Sequence, residues 1–174
     1  LDTMQAYTTY FELSKAMADE GVMMVTSDFE SMKNISETYV KKIVQPLYVV
    51  VLASSADLDM YIASTREWFD LADYRLFLIF TSDLKPKHCD FCRRPTHNIF
   101  NLKFKSRMFV SCCESNDIQE WWADNEGIEM PLNRNEKFGR WISDERRIQW
   151  NVKNSLYERR STLGHRSLRI AIVD

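Results

Sequence analysis

Residues 47–52 read LYVVVL and residues 76–80 read LFLIF, and these two runs decide the fold class of the chain. Each run is apolar at every position, which is typical of a strand that helices cover on both faces. Between the two runs, residues 54–74 carry a helical pattern that begins after the capping residues Ser54 and Ser55. A strand, a helix and a strand in this order predict a parallel sheet with a right-handed crossover.

The same alternation continues on both sides of these runs. Residues 22–26 predict an earlier strand, and residues 28–45 predict a helix with a capping box of Ser27 and Glu30 at its start. Residues 107–111 predict a further strand. A short helix capped at Asn116 is expected after that strand, and its apolar residues are Ile118, Trp121 and Trp122.

The ends of the chain carry weaker patterns. Residues 1–20 predict a helix, whereas residues 127–143 have lost all periodicity and predict an irregular connection. We therefore expect an α/β domain over residues 1–143, with a three-layer parallel sheet that resembles a single periplasmic-binding-protein-like or flavodoxin-like lobe. Residues 144–167 are heavily charged and predict a linker, and residues 168–174 predict another strand.

Charge and hydropathy narrow the classes of partner. Twenty-three Lys and Arg side chains stand against 25 Asp and Glu side chains, so the formal net charge is −2. No global positive field therefore recruits nucleic acid or an anionic membrane surface. The longest apolar runs are far below the roughly 18 residues that span a bilayer. We expect no nucleic-acid partner, and membrane attachment only through parts of a parent protein outside this chain.

The motifs of common enzyme classes are missing from the sequence. The four glycines are isolated, so neither a G-x-G-x-x-G turn nor a phosphate-binding P-loop can be formed. His88, His97 and His165 occur in no H-E-x-x-H pattern, and no G-x-S-x-G nucleophile motif is present. We interpret His88 and His97 as solvated loop residues. The prediction is a protein that is not an enzyme, with no catalytic residue, metal or cofactor.

Four cysteines form two clusters, a C-x-x-C of Cys89 and Cys92 and an adjacent pair of Cys112 and Cys113. A C-x-x-C is half of a common four-thiolate zinc site, but adjacent cysteines seldom direct both sulfurs to one tetrahedral metal. Disulfide bonds in an oxidising compartment are therefore favoured, although the pairing cannot be read from the sequence. A cytosolic flavodoxin-like regulatory or binding domain with reduced or zinc-bound cysteines is the alternative.

Asn34 begins an N-glycosylation sequon that Ile35 and Ser36 complete. At about 100° per residue, Asn34 lies about 200° from Met32 around the predicted helix. It is therefore expected on the face opposite the apolar stripe, where a glycan would project into water. This prediction also favours the outside of a cell.

The last part of the chain resembles a junction between two receptor domains, in which a basic segment with Leu and Gly leads into a Leu-Arg strand. The residues concerned are Leu156, Tyr157, Arg159, Arg160, Ser161, Thr162, Leu163, Gly164, Leu168, Arg169, Ile170, Ala171 and Ile172. The pattern is similar to that of ionotropic glutamate receptors, especially the divergent invertebrate ionotropic receptors. Further residues resemble an acid-and-tryptophan pattern near the end of the amino-terminal domain in insect members. These are Cys112, Cys113, Glu120, Trp121, Trp122, Gly139 and Trp141.

The resemblance implies an extracellular amino-terminal domain of a chemosensory ligand-gated cation channel, on the outer side of the plasma membrane. Other receptor subunits would be its partners, and residues 168–174 would begin the first strand of the ligand-binding domain. The tryptophans at positions 121, 122 and 141 are then candidates for a subunit interface. The basic residues of the linker are expected to be solvated and to have no ligand-binding role. These are Arg159, Arg160, Arg166 and Arg169.

Overall fold

The computed structural model describes residues 3–40, 46–67, 69, 75–81 and 86–160. These ranges contain helices and a six-stranded sheet in which the strands follow one another in chain order. The helices are α1 (Thr3–Asp19), α2 (Phe29–Val40), α3 (Ser55–Glu67), α4 (Pro86–Arg93) and α5 (Leu156–Arg159). The strands are β1 (Leu47–Leu52), β2 (Arg75–Phe80), β3 (Arg107–Cys112), β4 (Asp117–Trp122), β5 (Asn133–Ile142) and β6 (Arg147–Trp150).

The first half of the sheet is parallel, as the two apolar runs predict. Val50 of β1 pairs with Leu78 of β2, which in turn pairs with Val110 of β3. The helix between β1 and β2 begins with a capping box, because Ser54 and Asp57 each accept a hydrogen bond from the other's backbone amide. The α/β class and the strand positions of this half are confirmed.

The second half of the sheet is antiparallel, so the expectation of an all-parallel sheet is wrong. The short helix expected after Asn116 is strand β4, which pairs antiparallel with β3. The chain turns sharply between them, where Cys113 has a positive φ of 47° and Ser115 donates a backbone hydrogen bond to Cys112. The spacing of Ile118, Trp121 and Trp122 fits one helical turn, but pairing with β3 overrides that local pattern.

Two segments expected to be irregular also belong to the sheet. β5 pairs with β4 and lies within residues 127–143, and β6 pairs with β5 and lies within the expected linker of residues 144–167. Gly139 permits this pairing, because a Cβ at that position would come within 2.9 Å of the Trp150 ring. The strand predicted over residues 168–174 is outside the described residues.

Two expectations near the start of the chain are wrong as well. Residues 22–26 are not part of the sheet, and Met23 is largely exposed, because an apolar run forms a strand only where it finds a partner. Helix α2 is capped by Asp28, whose carboxylate accepts a hydrogen bond from the Ser31 amide at 2.8 Å, and not by Ser27. Helix α1 is confirmed; it ends at Asp19 and is followed by a turn in which Gly21 has a positive φ of 72°.

The core lies on one face of the sheet, where helices α2, α3 and α4 cover it. Side chains of this face include Leu52, Leu78 and Val110, which pack with Tyr61 of α3 and Cys92 of α4. The helical patterns of residues 28–45 and 54–74 also predict that Tyr39 and Trp68 pack on the sheet, but these two side chains lie outside the described set. The Tyr61 hydroxyl is fully buried, and this burial raises the pKa of the phenol. No titration of Tyr61 is expected in the folded protein at physiological pH.

The opposite face of the parallel half is open to solvent. Leu47, Val49 and Val51 of β1 are 59%, 57% and 51% exposed, and Phe77 and Ile79 of β2 are half-buried. Among the described residues, therefore, helices cover only one face of β1. A second helical layer, which a three-layer sheet requires, is not formed by this part of the chain.

Candidate functional site

Two disulfide bonds join helix α4 to the carboxyl end of β3. Cys89 bonds to Cys113 and Cys92 bonds to Cys112, with Cα atoms 6.0 and 5.6 Å apart. Cys89 and Cys92 are three positions apart on the helix, so both sulfurs face the strand end. The expectation of disulfide bonds is confirmed, and the pairing that the sequence left open joins each cysteine of the C-x-x-C to one of the adjacent pair.

The disulfide cluster is connected to the core of the antiparallel half. The Trp121 indole donates a hydrogen bond to the side-chain oxygen of Gln119. The side-chain nitrogen of Gln119 in turn donates to the sulfur of Cys112 at 3.6 Å. At the other end of the cluster, the Cys113 amide donates to the carbonyl of Phe80 at 2.7 Å. The four cysteines therefore fasten α4, β2, β3 and β4 together, which stabilises the edge where parallel sheets commonly bind ligands.

The cysteines contain no free thiol, and the described residues show no group of side chains arranged to hold a metal ion. The interpretation of His88 as a solvated loop residue is wrong, because the C-x-x-C and His88 belong to helix α4. Pro86 begins a helix that the missing periodicity did not reveal, because only eight residues form it. His88 therefore lies on α4 with its Nδ1 atom buried, whereas His97 is exposed as expected.

A buried ionic cluster holds the end of the described chain against the sheet. Glu120 of β4 is 1% exposed, and Arg159 reaches it through two hydrogen bonds of 2.6 and 3.1 Å. Arg160 donates to the same carboxylate at 3.0 Å and also to the carbonyls of Phe104 and Ser106. We call Glu120, Arg159 and Arg160 the Glu120 cluster.

The Glu120 cluster overturns the expectation that Arg159 and Arg160 are solvated. The guanidinium of Arg159 lies over the Phe138 ring, and that of Arg160 lies over the Trp122 ring. Burial lowers the pKa of Arg160, and the Glu120 carboxylate opposes that shift. Arg160 still keeps its charge at physiological pH, because the ordinary pKa of arginine is so high. Arg166 and Arg169 lie outside the described residues.

The three tryptophans proposed for an interface have different environments. Trp121 is fully buried in the core and cannot contact a partner, so the prediction that it belongs to an interface is wrong. Trp122 is half-buried beneath Arg160, whereas Trp141 is 40% exposed. The remaining exposed tryptophan of the sheet is Trp150, which packs against Phe138. The sequence did not single out Trp150, because its strand was not recognised.

The glycosylation sequon lies on helix α2. Asn34 is exposed, as its position opposite Met32 predicts, while Met32 and Ser36 face the core. The hydroxyl of Ser36 is buried without a hydrogen-bond partner. The side chain that would carry a glycan is therefore accessible, although the third residue of the sequon belongs to the interior.

A groove of about 770 Å³ runs beside the edge of β1 that pairs with no other described strand, between β1 and residues 23–36. Its walls are largely apolar and include Met23, Val25, Met32, Val49, Val51 and Met60. The groove is continuous with the exposed face of β1. An edge strand without Lys or Pro that presents exposed Val side chains is a typical site of association.

No helix among the described residues is long and apolar enough to cross a bilayer. No protein-family model, curated protein or solved structure matches the chain.

Proposed function

We propose that the chain is the extracellular amino-terminal domain of a chemosensory ligand-gated cation channel, where it assists the assembly and trafficking of receptor subunits. The observation that carries the proposal is the pair of disulfide bonds, Cys89 to Cys113 and Cys92 to Cys112. Such bonds form and persist in oxidising compartments such as the secretory pathway and the cell surface. The cytosolic alternative requires reduced or zinc-bound cysteines and is therefore disfavoured.

The exposed sequon also supports an extracellular location. Asn34 faces solvent on α2, so oligosaccharyl transfer would meet no steric obstacle from the described residues around it. A glycan at this position would leave the disulfide cluster untouched, because the two features lie on different helices, α2 and α4.

The Glu120 cluster supports a role at a domain junction. Two groups of residues carry the resemblance to ionotropic receptors, the acid-and-tryptophan pattern and the basic segment, and these groups contact one another. Glu120 binds both Arg159 and Arg160, and Trp122 stacks with Arg160. If this domain binds the segment that leads into the next domain, the contact would fix the relative orientation of the two domains. Assembly through such a rigid unit fits this arrangement.

In this proposal, strands β1 to β3 with helices α3 and α4 are part of a periplasmic-binding-protein-like lobe. The strand-helix-strand-helix-strand order and the parallel pairing support that assignment. The channel's activating ligand would then bind in the ligand-binding domain that follows, and not in this chain. Calorimetric titration of the isolated chain with activators of the full receptor is expected to show no saturable binding, and micromolar binding would move recognition into this domain.

The function is tested by removing residues 1–160 from the full-length parent receptor. We expect surface expression and subunit co-purification to fall at least several-fold, while channels that reach the surface keep their ligand sensitivity. Glu120→Gln in the intact receptor provides a milder variant, which is expected to lower surface expression by loosening the junction. Normal assembly without the domain, or a shifted ligand sensitivity at normal surface density, would contradict the proposal.

A further inference from the structure

The open face of β1 and β2 is wide enough for one helix. Strands lie about 4.8 Å apart and a helix with its side chains is about 10 Å wide, so one helix covers two strands. The next strand needs no such cover, because Phe109 of β3 already packs against Phe138 and Trp150. The uncovered area is thus limited to β1 and β2, with Leu47, Val49 and Val51 as its most exposed side chains.

Helix α1 also presents apolar side chains to solvent over residues 11–19, the part of the helix whose side chains the structure describes. No side chain from Phe11 to Asp19 is buried, and Phe11 and Leu13 are 69% and 51% exposed. Its charged residues over this range, Glu12, Lys15 and Asp19, follow the spacing of a single helix face. The apolar residues are therefore left on the remaining surface, as in a helix built to pack.

The dimensions and charges of α1 fit the open face. A helix of 17 residues is about 25 Å long, against about 20 Å for strands of six residues. Arg75 of β2 lies at the amino-terminal end of that face, and its register partner Arg107 lies beside it on β3. A helix that runs antiparallel to the strands would place its carboxyl end there, and this end carries Asp19, Glu20 and the negative pole of the helix dipole.

We propose that α1 of a second copy of this chain docks on the open face of β1 and β2, and that the exchange is reciprocal. Helix α1 ends at the Gly21 turn, and residues 22–28 then lead to α2 on the covered side of the sheet. In this arrangement α1 stands away from its own open face. A twofold exchange satisfies both surfaces of both copies, and a shared twofold axis closes the assembly.

The exchanged surfaces approach the size of a standard dimer interface. Each copy contributes the apolar side of α1, which is about half of its 17 residues, and the outward positions of two six-residue strands. This total of roughly 15 residues a side is below the roughly 20–30 of a standard interface, so we expect a dimer of moderate affinity. The docked helix would also supply the second helical layer that the strand sequences of β1 and β2 call for. The inference depends only on these surfaces, and it does not require the receptor function.

Two substitutions test the exchange in the full 174-residue chain. Val49→Lys changes an exposed sheet position, and Leu13→Asp changes an exposed helix position, so neither should affect folding of the monomer. Each is expected to raise the dimer dissociation constant in analytical ultracentrifugation by at least about 100-fold, since a charge would be buried without a partner. Lys15→Glu, on the charged face of α1, is the matched control and should leave the dimer intact.

Cross-linking identifies which copy provides the helix. A photoreactive benzoylphenylalanine replaces Phe11, and isotopically light and heavy chains are mixed, refolded together and irradiated. We expect cross-links between light and heavy chains that map to residues 47–51 or 77–79. A wild-type monomer up to about 100 µM, cross-links only within one chain, or a dimer that survives Leu13→Asp would each overturn the proposal. None of these outcomes alters the compartment or junction evidence, so failure here is distinguishable from failure of the proposed function.

Discussion

The guanidinium of Arg160 lies 3.0 Å from the carboxylate of Glu120, although 40 positions separate the two residues in the sequence. Both side chains are buried, and Arg159 binds the same carboxylate from a second side. One negative charge therefore holds two positive charges, and the terminal nitrogens of Arg160 also donate to the backbone carbonyls of Phe104 and Ser106, whereas its Nε atom is buried without a hydrogen-bond partner. This contact holds the residues just before position 161 in the folded domain.

Glu120→Gln should destabilise the domain strongly. Removing the carboxylate charge leaves Arg160 buried without its counter-ion, which costs about 3 kcal/mol or more in comparable buried pairs. Denaturant unfolding of the variant measures the loss, and trypsin cleavage at Arg159 or Arg160 should become faster. Glu136→Gln removes the partner of Arg134 from a more exposed pair and should cost less than about 1 kcal/mol. Similar costs for the two variants would show that the cluster contributes little.

Val50→Asp and Val49→Asp compare the two faces of β1 at adjacent positions. Val50 is 6% exposed and faces the core, whereas Val49 is 57% exposed. Burial of an unpaired carboxylate at position 50 should cost several kcal/mol, while the change at position 49 should cost less than about 1 kcal/mol. Unfolding is followed in dilute protein so that association does not contribute. An equal loss at both positions would mean that the register of β1 is wrong.

The two disulfide bonds should differ in their rate of reduction. Cys92 and Cys112 are both buried, whereas Cys113 is half-buried and Cys89 lies at the border of the core. A mild reductant should therefore open the Cys89–Cys113 bond first, as alkylation and peptide mapping would reveal. The Cys92–Cys112 bond lies inside the other loop and stays closed, so loss of the Cys89–Cys113 bond frees only a short loop and should lower stability by about 2 kcal/mol in the chain-entropy model. Four free thiols in protein purified without reductant would contradict the assignment.

Asn34→Gln and Ser36→Ala should both abolish glycosylation when the chain is secreted from eukaryotic cells, because each destroys the sequon. Neither should reduce stability appreciably: Asn34 is exposed, and the buried Ser36 hydroxyl has no partner to lose. Thr38→Ala lies on the same helix outside the sequon and should keep the glycan. Intact mass before and after glycosidase treatment provides the readout. A secreted wild-type chain without a glycan would show that Asn34 is not used.

The parallel half of the fold could be predicted because its signal is local and strong. Runs that are apolar at every position, such as residues 47–52, are typical of strands in parallel sheets, and the capping box at Ser54 marks the helix that follows this run. The sequence predicted a third layer because the outward positions of β1 are apolar, although these side chains are exposed among the described residues. The residues are suited to a covering helix that α1 of the same copy does not provide.

The antiparallel half and the Glu120 cluster could not be predicted from local patterns. Strand β5 carries polar residues along much of its length, since much of it faces solvent, and it therefore lacks a period-two signal. Glu120 and Arg160 look like ordinary surface charges until the fold brings them together. The resemblance did group Glu120 with Trp121 and Trp122, but a contact with Arg159 requires knowledge of the sheet.

The proposed extracellular location of the domain is tested most directly by surface labelling of the full-length parent protein in intact cells. An epitope is inserted between Asp144 and Glu145, in the exposed turn that joins β5 to β6. We predict that an antibody labels intact, unpermeabilised cells, and that the labelled receptor co-purifies with a second subunit. Labelling only after permeabilisation would place the domain on the cytosolic side and contradict the account.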